Sequence, residues 1–152
     1  MREQEIVVTT RDGEMKVFLV HPSEGGPFPV ALLFMDGIGY REQIRANARR
    51  FAGARYYVAA PDLFYRSGEG IILDMTKLMS AGMDSPEGKR FMKIISSVTP
   101  AKVESDIEAI LENIRNDGAA DTSSLVSVGY CMGARLALHV RQASIEHPGE
   151  VR

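Results

Sequence analysis

LVSVGYCMGARLAL, residues 125–138, decides the fold. Leu125–Val128 is short and β-branched, as a strand should be. Cys131–Ser144 has helical spacing. Between them stands Gly129-Tyr130-Cys131-Met132-Gly133, a Gly-x-Cys-x-Gly turn with the spacing of a nucleophile elbow and Cys in the place of Ser. Such a turn strains the backbone of its central residue. It also crowds the positions two before and two after, so both must be small. The sulfur then projects above the N-terminus of the following helix, whose dipole favours negative charge. The same geometry aims the Met132 amide at a developing oxyanion. The chain has 14 glycines and one cysteine in 152 residues, so glycine on both sides of that cysteine arises by chance in roughly 1 case in 100. The alternative is a buried, inert cysteine at a glycine-rich turn.

The next informative stretch lies upstream. Val30–Met35 (VALLFM) is continuously apolar, as a strand buried on both faces should be. It runs into Met35-Asp36-Gly37-Ile38-Gly39. This loop and the Cys131 turn both follow the carboxyl ends of parallel strands, where α/β sheets place their ligands. The loop after the third strand supplies the second oxyanion donor in such a fold, and the Gly37 amide is the candidate here. Asp36 is placed to contact or orient Cys131; its other reading is an Asx-turn or a helix cap.

Outward from these turns, strand and helix patterns alternate, which predicts an α/β domain with a largely parallel sheet. Glu5–Thr9 and Met15–Val20 read as two antiparallel strands joined through the hairpin signal Asp12-Gly13. Arg41–Ala52 has helical spacing, and Tyr56–Ala60 is a strand stopped by Pro61. Residues 62–98 read as loops around one or two short helices. Thr99-Pro100 predicts an N-cap followed by Pro at the first helical position. Val103, Ile107, Ile110, Leu111 and Ile114 then form one apolar stripe, and Asp117-Gly118 closes that helix. No repeat or linker divides the chain, so residues 1–152 form one unit.

Composition narrows the function classes. Eighteen basic and twenty acidic residues give a net charge of −2, and no basic patch suggests nucleic acid. No apolar run approaches the roughly 18 residues of a membrane span. A lone cysteine fits a reducing cytoplasm and excludes an internal disulfide, a CxxC redox pair or a multi-cysteine metal site. No cofactor or metal is expected.

The stretches VALLFMDGIGYREQIRANARRFAGARYYVAAPDLFYR and VSVGYCMGARLALH closely resemble the dienelactone hydrolase family of α/β hydrolases. The resemblance runs over about residues 5–152 and is strongest over 30–66 and 125–140. It implies a three-layer α/β-hydrolase sheet and a Cys-His-Asp triad with Cys131 as nucleophile. It implies an oxyanion hole from the amides of Met132 and Gly37, and an acidic residue, here Asp36, that contacts the cysteine at rest. The better-known members carry the longer Glu at that position. The family elbow usually continues Gly-Gly, where this chain has Gly133-Ala134. Arg66, in PDLFYR, matches a recurrent arginine at the edge of the substrate site. The substrate class implied is a small ester or lactone.

The triad order in this fold is nucleophile, acid, His. Only 21 residues follow Cys131, and they read as the elbow helix and a short tail. His139 lies about 12 Å along that helix at 1.5 Å per residue and cannot reach back. His147 sits in a turn beyond it, and His21 in a loop before the third strand. The tail EHPGEVR resembles the family segment leading into the sixth strand, so a domain truncated after the elbow helix is expected, without the triad Asp and His. Self-association through the exposed sheet edge follows. Three functions compete: a cysteine hydrolase of esters or lactones, a catalytically inactive binding or interaction protein on the same scaffold, and a thiol redox sensor.

Overall fold

The computed structural model describes residues 1–146. The chain opens with β1 (Arg2–Thr10) and β2 (Gly13–His21), antiparallel from Arg2↔His21 to Thr10↔Gly13. The predicted turn at Asp12-Gly13 is there, and Gly13 takes φ 138°, which a side chain would resist. β3 (Phe28–Phe34) and β4 (Tyr57–Pro61) pair in parallel, as do β3 and β5 (Ala120–Gly129). β2 meets β4 antiparallel. The order β1-β2-β4-β3-β5 makes the sheet mixed, with a parallel half of three strands that carries the loops of interest.

Crossovers from β3 to β4 and from β4 to β5 run in opposite directions across the sheet. Right-handed connections therefore put their helices on opposite faces. The first is α1 (Glu42–Gly53), which packs on β2 and β4 through Ile44, Ala48 and Ala52. The second is α4 (Pro100–Ile114), which buries Val103, Ile107, Ile110 and Ile114. α5 (Met132–Glu146) follows the elbow, rests on β5 and β3, and touches α4. Three layers result, with β3 and β4 almost wholly buried at the centre.

Two regions differ from the expectation in extent. β5 begins five residues earlier than Leu125, and its register jumps from Pro29↔Asp121 to Val30↔Leu125. The polar run Thr122–Ser124 bulges out there, so its composition hid the strand. Residues 62–98 hold a 3₁₀ turn at Tyr65–Ser67, α2 (Met75–Ala81) and α3 (Pro86–Ser97). α3 opens on Ser85, whose hydroxyl accepts from the Gly88 amide at 3.0 Å, with Pro86 next. Thr99-Pro100 opens α4 in the same way, Lys102 N donating to Thr99.

Candidate active site

The turn between β5 and α5 is strained where the motif requires it. Cys131 holds φ +53°, one of two non-glycine residues with positive φ among the described residues. Its side chain is exposed. The flanking glycines are demanded by close backbone approach. A Cβ on Gly129 would lie 2.0 Å from the Gly133 carbonyl oxygen, and one on Gly133 would lie 2.5 Å from the carbonyl oxygens of both Phe34 and Met35. No L side chain fits either place without displacing backbone. The turn is closed by Gly133 N donating to Tyr130 O at 2.8 Å and Ala134 N to Cys131 O at 3.1 Å. Tyr130 N donates to Phe34 O at 3.3 Å, which ties the elbow to the end of β3. Met132 is the first residue of α5, so its amide has no acceptor within the helix.

Those contacts bring the loop after β3 beside the elbow. In it Asp36 forms the Asx-turn, accepting from the Ile38 amide at 3.0 Å. The turn uses the Ile38 amide, not the Gly37 amide. Both Asp36 oxygens also accept from Arg41, at 2.7 and 2.9 Å. Burial raises the Asp36 carboxyl, but hydrogen bonds from Arg41 and the Ile38 amide outweigh it and hold the group below the usual aspartate range. Gly37 lies under α3: a Cβ there would sit 3.4 Å from Ile95 and 3.9 Å from Phe91.

Arg66 stands at the same end of the sheet, toward the β1–β2 hairpin. Its Nε donates to Asp12 at 2.6 Å, and its two terminal nitrogens donate to Asp106 at 2.8 Å each. Asp106 is 1% exposed and also accepts from Tyr65 Oη at 2.8 Å. Arg41, which grips the loop, is a residue that sequence reasoning passed over; the available signal was an arginine five positions after Asp36.

The histidines are placed away from the elbow. His139 pairs with Glu104 of α4 at 3.0 Å. His21 ends β2, opposite the start of β4, and so lies at the other end of the sheet. It stacks on Tyr57 at 5.0 Å and borders a cleft of about 620 Å³ with Arg2, Gln4 and Asp117. His147 lies outside the described residues. No helix among the described residues is long and apolar enough to cross a membrane.

The dienelactone hydrolase family profile matches residues 15–147, which include both turns. The chain belongs to the dienelactone hydrolase family. An inferred carboxymethylenebutenolidase of Methylorubrum extorquens is 30% identical over 133 residues, covering 87% of this chain and 42% of that protein. The crystal structure of an inferred dienelactone hydrolase from Klebsiella pneumoniae superposes with a TM-score of 0.70 at 26% identity, covering 89% of this chain and 52% of the other. A structure titled m3DLH gives a TM-score of 0.71 at 21% identity, with coverages of 94% and 55%, and shows a shared fold alone. The chain thus spans about half the length of the family members it matches.

Proposed function

We propose that this chain carries the nucleophile half of an ester or lactone hydrolase, with Cys131 as the nucleophile. The observation that carries the reading is the strained Cys131 backbone, φ +53°, held between two glycines that admit no side chain. A cysteine buried for packing needs neither the strain nor the exposure. The sulfur attacks the substrate carbonyl carbon, and the carbonyl π electrons move to oxygen. The amides of Met132 and Gly37 hold that oxyanion. Collapse breaks the carbon–oxygen bond and expels the alkoxide, which takes up the proton given up by the thiol through solvent. The thioester left on Cys131 is then hydrolysed by water to the acid and the free thiol.

Asp36 is the acidic neighbour of the elbow in this reading, and Arg41 holds both of its oxygens. Arg66 is the edge of the site toward the hairpin. Its hold on Asp106 is buried, whereas Asp12 is 41% exposed, so a substrate carboxylate would displace Asp12. The base for hydrolysis is not among the described histidines, which are His21 and His139. The described residues then form the nucleophile part of a hydrolase domain, cytoplasmic by the lone cysteine, in which neither described histidine serves the thioester and acylation outruns hydrolysis.

One observation favours a second reading, an interaction protein. β5 pairs only with β3 and leaves its other edge open among the described residues. Self-association through that edge belongs to this reading. The deciding experiment is a burst assay with p-nitrophenyl acetate. The hydrolase reading expects about one equivalent of p-nitrophenol per chain, lost in Cys131→Ala. Absence of any Cys131-dependent burst removes the nucleophile and leaves the interaction reading.

A further inference from the structure

The segment that carries Gly37 is gripped by one guanidinium. Asp36 and Arg41 stand five residues apart, on either side of the turn. Arg41 meets the Asp36 carboxylate with two parallel hydrogen bonds, at 2.7 and 2.9 Å, and its Nη1 also donates to the Gly39 carbonyl at 3.0 Å. The Ile38 amide closes back on Asp36. From outside, Leu73 N donates to Ile38 O at 2.8 Å, and Gly39 bridges Ile72. Gly39 takes φ 122°, and a Cβ there would lie 2.3 Å from the Ile71 carbonyl oxygen.

A two-bond arginine–carboxylate pair fixes orientation as well as distance, which a lysine cannot do. Here it holds the side chain on one flank of the Gly37 peptide, while the same guanidinium holds a carbonyl on the other flank. The Asp36 and Arg41 side chains are each 21% exposed, and partly exposed ion pairs contribute little to stability as such. The geometry instead serves the peptide between the two anchors. We infer that Arg41 is a positioning residue for the oxyanion loop: by holding Asp36 and Gly39 it sets the direction of the Gly37 amide against Cys131. This rests on the proposed function for its chemistry, and it extends that function to a residue with no role in proton transfer or attack.

Two reactions of one sulfur separate positioning from folding. Acylation by p-nitrophenyl acetate builds an oxyanion and expels p-nitrophenolate. Alkylation by iodoacetamide displaces iodide from a saturated carbon and builds none. Arg41→Ala is expected to slow acylation at least tenfold, in line with loss of an oxyanion donor. Alkylation should stay within twofold of the parent rate. Arg41→Lys should recover only part of the acylation rate. Equal changes in both rates, or no change in acylation, overturn the inference. Hydrogen–deuterium exchange over residues 36–40 is read in parallel. Exchange at least tenfold faster in Arg41→Ala, confined to that loop, supports the inference; unchanged exchange overturns it. If the parent protein shows no burst, the nucleophile reading fails and the exchange result alone decides the role of Arg41. If Arg41→Ala does not fold, Arg41→Lys carries both comparisons.

Discussion

At Cys131 the demands of folding and of the proposed chemistry oppose each other. A residue with a Cβ in the left-handed region costs roughly 1 kcal/mol relative to glycine. Cys131→Gly is therefore expected to raise the unfolding midpoint by a few degrees while abolishing the p-nitrophenol burst, and thermal denaturation beside the burst assay checks both. The opposite holds two residues on. Gly133→Ala drives a methyl to 2.5 Å from two carbonyl oxygens and should destabilise by about 3 kcal/mol. A Gly133→Ala protein as stable as the parent, by urea titration, would show that the elbow is looser than its geometry. Asp62 offers a pH test. It is 3% exposed, and burial raises its carboxyl above the ordinary range despite the hydrogen bond from Phe64 N. A raised folded value means that stability present at low pH is lost as pH climbs through that value. Asp62→Asn keeps an acceptor for Phe64 N and removes the charge. It should unfold at higher temperature than the parent at pH 7, with the difference shrinking toward pH 4. Asp36 has the reverse sign: its contribution is in place above its unfolded value and fades only below about pH 4.

At the scale of elements, Arg66 ties three parts of the chain. It joins the 3₁₀ turn after β4 to Asp12 in the hairpin and to Asp106 on α4. Arg66→Ala leaves Asp106 buried without its cation, which should cost on the order of 3 kcal/mol in urea unfolding. A loss below 1 kcal/mol would mean that Tyr65 and water suffice for Asp106. The elements themselves were readable where one local rule dominates. Asp12-Gly13 demanded a hairpin, Thr99-Pro100 a helix start, and the apolar run after Pro29 a buried strand. The helices expected within 62–98 were not placed, and α3 is longer than expected; Ser85-Pro86 carries the same cap signature as Thr99-Pro100, but Gly82 and Gly88 around it read as loop. β5 was shortened because its bulge is polar. Around the proposed site, glycine spacing made the turns at Cys131 and at Asp36-Gly37 legible, and Asp36 takes the Asx-turn that was one of its two readings. The Arg41–Asp36 pair was not, since it depends on how the loop between them turns.

For the whole molecule, the edge of β5 that no described strand pairs matters most. Val126 on that strand is 37% exposed, and Leu138 on the adjoining helix is 69% exposed. Parallel strands are seldom left with a bare edge. The chain is expected to self-associate with rising concentration, seen as a shift to earlier elution in sizing chromatography. Val126→Lys, a charge on the edge strand, should reverse that shift. A concentration-independent monomer would overturn pairing of this edge with a second chain.

The close backbone approaches that shape the elbow fall at positions 129 and 133, where missing Cβ atoms let carbonyls pass. Position 131 itself is asked only to tolerate its φ. The turn is thus a holder whose reagent can be exchanged. A serine, or a selenocysteine introduced by chemical synthesis, would sit on the same backbone at nearly the same conformational cost, so the identity of the nucleophile can drift while the architecture beneath it stays fixed.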